Sequence, residues 1–266
     1  MMSILDKILE TKREEVAHLR AQGISFDRGA PREIHSLRQK LLEGTKLGVI
    51  AEIKRRSPSK GVIQAEINPA TRARVYEEAG ATAISVLTDR TYFGGSIDDL
   101  RAVREAVSLP ILRKDFVIDE LQIDEAYAAG ADVILLIAAA LPNERLQTLS
   151  FYAQDLGLDV LLEVHGTHEL DAALAAKPSI LGINNRNLHT FEVDLGVTEQ
   201  VIDALPDDVV VISESGVLGM VDAQRMAAAG ARGVLVGELL MRHEDLGDVA
   251  TCLTALQMAK APVGRR

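Results

Sequence analysis

An α/β fold of eight parallel strands alternating with helices is predicted by three features of this 266-residue chain. Eight short β-like runs are spaced along about 200 residues, with helical segments between them. The runs are continuously apolar, as strands become when both faces of a parallel sheet are covered. A helix end of the form Ala-Gly-Ala, or a close variant, recurs before an apolar run in AGATAISVL (79–87), AGADVILLI (129–137) and AGARGVLV (229–236). Gly80 and Gly130 lie 50 residues apart and Gly130 and Gly230 lie 100 apart, multiples of a unit of about 25 residues. A glycine there suits the left-handed position just beyond a helix C-terminus, where a Cβ clashes. Two architectures fit, a closed (β/α)8 TIM barrel and an open doubly wound sheet. The count of eight, the even spacing and the lack of a G-x-G-x-x-G after the first run favour the barrel.

Two helical patterns precede the first strand, ILDKILETKREEVAHLR (4–20) and PREIHSLRQKLLE (31–43), the second with Pro31 at a helix start. A bare barrel does not need them, so residues 1–47 read as an N-terminal helical extension that covers one end of the barrel or packs beside its mouth. No linker or change of composition sets them apart, and residues 1–266 read as a single (β/α)8 barrel domain. The β-like runs then follow as VIAEIK (49–54), the 79–87 run, LPILRK (109–114), the 129–137 run, LDVLLEV (158–164), SILGIN (179–184), DVVVISE (208–214) and the 229–236 run. Amphipathic segments such as SIDDLRAVREAV (96–107) and LGMVDAQRMAAAG (218–230) supply the helices between them.

Composition narrows the function. At 47% apolar residues the chain can bury a core and is not disordered. No run approaches the roughly 18 apolar residues of a transmembrane helix, and the charged N-terminus lacks the apolar stretch of a secretory signal. A formal net charge of −10 argues against nucleic acid and anionic membranes as partners. An anionic ligand therefore needs a local cluster of positive groups. The single cysteine, Cys252, excludes an internal disulfide framework and a cysteine-built zinc site, and points to a reducing, cytoplasmic setting. It reads as a core residue of a C-terminal amphipathic helix.

In this fold reactive groups sit at the C-terminal ends of the strands. Those positions hold Glu52 and Lys54, Lys114, Glu163, Asn184, Glu214, and Gly237 with Glu238. Glu52 and Lys54 are two apart and share one strand face. Charges are seldom buried without partners, so convergence of both signs from several strands marks a site of acid–base chemistry rather than a set of solvated strand ends. A lysine beside a lysine in a dry pocket is expected to have a lowered pKa and a glutamate beside a glutamate a raised one, with an adjacent glutamate opposing the lysine shift. Ser215-Gly216 after the seventh run and Gly237-Glu238 after the eighth let backbone N–H groups approach an anion, which predicts a phosphate site. The loop after the first run carries Arg55, Arg56 and Lys60. Arg55 and Arg56 read as solvated, while Ser57, Ser59 and Lys60 fit a mobile lid over an anionic substrate. Glu163, His165 and His168 have a spacing a metal can use but do not surround an ion by themselves. Tyr92-Phe93 and Phe116 either wall an aromatic substrate or cover the barrel mouth.

The runs AEIKRRSPSKG (51–61), YFGGS (92–96), ILRKDF (111–116), LLEVH (161–165), GINNRNL (182–188), ISESGV (212–217) and VLVGELLM (234–241) together resemble the indole-3-glycerol phosphate synthase family of tryptophan biosynthesis. The resemblance covers nearly the whole chain, in the family's order and spacing. It implies a lyase that closes the ring of 1-(2-carboxyphenylamino)-1-deoxyribulose 5-phosphate, releasing CO2 and water, with no cofactor and no metal. It also implies roles. Lys114 would be the general acid on the ketone oxygen, and Glu163 would stabilise the cationic ring intermediate or move a proton. Lys54 would hold anionic groups and serve as acid for the dehydration, with Glu52 as its partner base. Asn184 and Glu214 would hold substrate hydroxyls or orient the lysines, supported by Arg186. Ser57 would meet the carboxylate, Phe93 and Phe116 the anthranilate ring, and Ser215, Gly216, Gly237 and Glu238 the phosphate. Glu238 varies within the family, so only its backbone is implicated. The expected partner is this phosphosugar-anthranilate substrate alone, and the expected state a monomer or weak homo-oligomer. Two rival readings are a Schiff-base aldolase using Lys114 or Lys54 and a non-catalytic phosphosugar-binding barrel. The isomerase one step earlier is disfavoured because it pairs a cysteine with an aspartate near strand ends.

Overall fold

In the computed structural model, which describes residues 3–22, 32–188 and 190–257, eight strands close into a barrel. They are β1 (Gly48–Ile53), β2 (Ala83–Leu87), β3 (Ile111–Lys114), β4 (Val133–Ile137), β5 (Asp159–Val164), β6 (Ile180–Asn184), β7 (Val211–Glu214) and β8 (Gly233–Val236). Each pairs in parallel with its neighbours in sequence. β1 pairs with β8, Gly48 opposite Gly233, which shuts the ring and excludes the open sheet. Most strands begin later than the apolar runs do, because the Ala-Gly-Ala units belong to the helix stops. Gly80, Gly130 and Gly230 take φ values of +88°, +97° and +112°, just past the ends of their helices.

The helices are α1 (Ile4–Ala21) and α2 (Leu37–Glu43) before the barrel, then α3 (Pro69–Glu78), α4 (Ile97–Ala106), α5 (Glu120–Ala129), α6 (Asn143–Asp155), α7 (Leu170–Ala175), α8 (Gly196–Asp203), α9 (Met220–Ala229), α10 (Glu238–Met241) and α11 (Leu246–Leu256). Their starts are written locally: Asn68, Ser96, Asp119 and Asp245 each accept a backbone N–H from two or three residues on. Alternate strand residues go to different cores. Val49, Ala51, Ile84, Val86, Leu162, Val164, Val234 and Val236 pack outward against the helices, with half-buried Cys252 against the same core. Ile50, Ala83, Leu112, Leu135, Leu161, Ile180, Ile212 and Leu235 fill the barrel.

The two N-terminal helices sit at opposite ends. Leu37 and Leu41 of α2 enter the interior cluster from below. A Cβ on Gly48 would lie 2.4 Å from Leu41 Cδ2 and one on Gly233 3.0 Å from it, so glycines at the feet of β1 and β8 make room for this plug. The helix begins at Leu37 and not near residue 31, because the preceding segment is held extended. Arg32 Nη1 and the His35 N–H bind Oδ1 of buried Asp132 at 2.9 and 3.1 Å, and Ser36 Oγ donates to Asp159 at 2.9 Å while capping Gln39 N. The expected start at Pro31 lies outside the described residues. α1 lies across the other end, where Ile4, Leu5 and Ile8 border the barrel mouth. Its Lys12, 1% exposed, is ion-paired to Asp89 at 2.8 Å and Asp115 at 3.0 Å in the loops after β2 and β3.

Candidate active site

Strand alternation carries the interior up into the site. On the inner face Ile50 is followed by Glu52, Leu112 by Lys114, Leu161 by Glu163, Gly182 by Asn184, Ile212 by Glu214 and Leu235 by Gly237. The apolar filling thus ends in one layer of charged and polar groups at the C-terminal rim. That layer floors a cavity of about 520 Å³. The residues given catalytic or binding roles above border it: Glu52, Lys54, Lys114, Glu163, Asn184 and Glu214 below, Ser57, Phe93, Phe116, Arg186, Ser215, Gly216, Gly237 and Glu238 around the wall. Tyr92 does not, its hydroxyl meeting Thr11 Oγ1 of α1 at 3.1 Å.

Lys114 is the centre of the floor, with Nζ 2.8 Å from Glu163 Oε2 and 2.8 Å from Glu214 Oε2. Burial alone pushes a lysine down, but the two carboxylates outweigh it and hold this ammonium charged well above the ordinary range. Of the opposing shifts expected from sequence, that of the glutamates prevails at Lys114, whose close partners are Glu163 and Glu214. The carboxylates diverge. Burial favours the neutral form of Glu163, yet Lys114 and His165 overcome it and keep the group ionised well below the usual range. At Glu214 burial, opposed by Lys114 and reinforced by the like charge of Glu163, pushes the carboxyl up to about 7. Asn184 fixes Glu163 by donating from Nδ2 to Oε1 at 3.1 Å, its own Oδ1 being held by the Arg186 N–H at 3.1 Å. Lys54 Nζ lies 2.5 Å from Glu52 Oε1.

Two glycines shape this layer by what they omit. A Cβ on Gly182 would fall 2.2 Å from Glu214 Oε1, and one on Gly237 2.1 Å from Glu52 Oε1. The cavity wall pairs Phe93 with Phe116, ring centroids 6.2 Å apart and planes tilted by 35°. Asp89 accepts from the Phe93 N–H at 3.1 Å and Asp115 from the Phe116 N–H at 2.8 Å, so the two aspartates that clasp Lys12 also set the two aromatic residues. At the opposite side Ser215 and Gly216 take φ values of +65° and +90°, turning the chain sharply after β7. Lys60 (3.5 Å), Arg186 (3.9 Å) and Arg242 gather on the Glu238 carboxylate beside it. Arg55 and Arg56 are not free in solvent as the sequence suggested. Arg55 is bound to Asp99 and the Gly94 carbonyl, and Arg56 to the carbonyls of Arg90 and Thr91, so both stitch the first loop to the second. Among the described residues no three metal-ligating side chains converge; His168 faces outward and His165 faces Glu163 at 3.3 Å.

A family model described as indole-3-glycerol phosphate synthase matches residues 5–253. The chain belongs to that family. It is 51% identical over 247 residues to the indole-3-glycerol phosphate synthase of Exiguobacterium sibiricum, covering 93% of this chain and 95% of the relative. It is 48% identical over 253 residues to that of Desulfotalea psychrophila, covering 94% and 97%. Among solved structures, the thiamine phosphate pyrophosphorylase from Pyrococcus furiosus superimposes with a TM-score of 0.60 at 18% identity over 84% of this chain and 97% of that one, a likeness of fold alone. As an indole-3-glycerol phosphate synthase family member the chain is a carboxy-lyase of tryptophan biosynthesis, in agreement with the sequence motifs.

Within this indole-3-glycerol phosphate synthase family barrel, three contributors escaped the sequence reading. Lys12 carried a signal, since Ile8, Lys12 and Val16 fall four apart on the buried stripe of α1, where a lysine is out of place. Gly182 carried none, because its reason is a side chain on the next strand. His165 shows in sequence a spacing that suits a metal, whereas its partner is Glu163.

Proposed function

We propose that the mouth of this barrel converts 1-(2-carboxyphenylamino)-1-deoxyribulose 5-phosphate into indole-3-glycerol phosphate, CO2 and water. The supporting observation is Lys114 held charged between Glu163 and Glu214 at 2.8 Å each, at the floor of a cavity walled by two phenylalanines. The anthranilate ring packs on Phe93 and Phe116, its carboxylate near Ser57 and Lys54. The phosphate lies at the far wall, against the N–H groups of Ser215, Gly216, Gly237 and Glu238, near Lys60 and Arg186. The ring carbon bearing the carboxylate then attacks the ketone carbon, and Lys114 protonates the ketone oxygen as charge develops there. CO2 departs and leaves its bonding pair in the ring. Glu163, anionic beneath it, stabilises the cationic ring in the interval. Lys54 protonates the departing hydroxyl, and Glu52 or Glu163 takes the proton from the adjacent carbon. Asn184 orients Glu163, and Glu214 Oε1, which has no protein partner, accepts from a substrate hydroxyl. We further take the whole chain as one barrel domain with residues 1–47 as its extension, acting in the cytoplasm.

Mixing the protein with the carboxyphenylamino-deoxyribulose phosphate and following indole fluorescence tests the reaction. The expected result is a rise that survives chelator and falls by about 100-fold or more in Glu163→Gln. Tight binding of the compound without any rise would leave a phosphosugar-binding barrel and overturn the reaction.

A further inference from the structure

The proposed reaction has a proton balance that the mouth alone does not satisfy. Two protons go to the ketone oxygen, one as it becomes a hydroxyl and one as that hydroxyl leaves as water. One proton comes back, from the carbon beside it. The carboxylate leaves as neutral CO2, so each turnover draws one proton from solvent. During turnover the substrate itself lies over Lys114 and Glu163, between bulk water and the groups that need that proton.

A second cavity, of about 350 Å³, meets the same layer at Asn184. Asn184, Arg186 and Leu188 border both cavities and form the wall between them. The rim of the second is built from exposed His168, Asn187, Glu192 and Asp194, so it is open to water. His165, at its inner end, bridges to the catalytic layer. Nε2 stands 3.3 Å from Glu163 Oε1, on the oxygen opposite the one that meets Lys114, and Nδ1 stands 3.7 Å from Glu169 Oε2. Neither ring nitrogen meets an acceptor in hydrogen-bond geometry as the ring stands, so a small rotation of the ring is what brings the Nε2–H onto Glu163 Oε1. Among the described residues, the polar side chains set against Glu163 are Lys114, Glu214, Asn184 and His165. Lys114 and Glu214 belong to the mouth and Asn184 does not titrate.

We propose that His165 carries the proton consumed in each turnover from the second cavity to Glu163. The imidazolium gives its Nε2 proton to Glu163 Oε1. The resulting carboxylic acid turns and passes that proton to the neutral Lys114 Nζ, restoring the ammonium and the carboxylate. Water in the second cavity, beside Glu169, reprotonates the neutral imidazole. With Glu52 taking the carbon-bound proton and returning it to Lys54, 2.5 Å away, and the relay restoring Lys114, charge and atoms balance over the cycle. His165 faces titratable groups on three sides, Glu163 from β5, Glu169 from the turn that follows, and His168, Glu192 and Asp194 across the cavity. Burial works against the charged ring, but Glu163 and Glu169 outweigh it and raise its pKa to about 10, so it is loaded at neutral pH. The residue acts through Glu163, not on the substrate.

This role rests on the proposed ring closure, and the test separates the two. Wild type and His165→Gln are assayed for kcat and KM by indole fluorescence across pH, with and without added imidazole, which fits a cavity of this size. The expected result is a kcat lowered by about ten-fold or more with KM within about two-fold, and partial recovery with imidazole in the variant only. Glu169→Gln, which spares the ring, is expected to move the alkaline limb of the wild-type pH profile downward. Should His165→Gln fail to fold, that shift carries the test. Retention of kcat in His165→Gln, or a loss that imidazole does not restore at any pH, overturns the relay while leaving the ring closure standing. A wild type that does not turn over overturns both.

Discussion

At the scale of single residues, the site depends as much on absent atoms as on charged ones. Gly182 sits in the layer of Glu163 and Glu214, in β-region backbone that any residue adopts, and its reason is space. A methyl group there meets Glu214 Oε1 at 2.2 Å and has to displace it from Lys114. Gly182→Ala is therefore expected to cost about 100-fold in kcat, the order of effect that an ångström of misplacement produces, while the protein stays folded. Steady-state kinetics beside a thermal melt measures it; unchanged kcat would show that Glu214 need not hold its place. The strand-end chemistry was legible from sequence because strands alternate with period two and the C-terminal rim of a barrel is where function collects. The glycine was not, since nothing near residue 182 announces a carboxylate 32 residues further on. The net lysine shift is not legible for the same reason, as the partners of Lys114 come from β5 and β7 and not from its own strand.

At the scale of elements, α1 is joined to the aromatic wall of the cavity by a chain of contacts. Lys12 neutralises Asp89 and Asp115, whose other contacts fix the N–H groups of Phe93 and Phe116. Removing the ammonium leaves two buried carboxylates facing each other, a loss of about 3–5 kcal/mol for a broken buried ion pair. Lys12→Met is expected to lower the urea midpoint accordingly and to raise KM for the aromatic substrate as the two phenylalanines lose their anchors. A variant with wild-type KM would mean that the phenylalanines are held by something else. The period of segment 4–20 marks the helix to within one residue of its ends but does not say which end of the barrel it covers. The extension does both things at once, α2 plugging the lower end and α1 roofing the upper. Sequence places a helix by its own period, but a docking site is contributed by residues such as Asp115, a hundred positions away.

For the molecule as a whole, the charged layer is expected to leave a mark on the pH dependence of stability. Glu214 has its pKa raised from an ordinary 4.5 to about 7 and His165 from 6.5 to about 10. Between the lower and upper value of each group the folded protein holds a proton that the unfolded chain has released. Stability from Glu214 is thus complete below about pH 4.5 and lost as pH rises through 7, and that from His165 is complete below 6.5 and lost through 10. Glu163, shifted the other way, contributes above the ordinary carboxylate range and loses its share in acid. Urea midpoints across pH 4.5 to 10 should fall less steeply in Glu214→Gln over the first interval and in His165→Gln over the second. Identical slopes in all three proteins would contradict these shifts.

The plug at the foot of the barrel also sets a timetable for synthesis. Leu41 packs against Gly48, a few residues away, and against Gly233, near the other end of the chain. At about 5–20 residues per second, a ribosome takes roughly 10–40 s to travel from one to the other. For that interval the apolar side of α2 has emerged without the last wall it rests on, and β1 is an open edge waiting for β8. Until β8 arrives the ring cannot close, and the unpaired edge of β1 and the apolar side of α2 are the surfaces that need cover in the meantime.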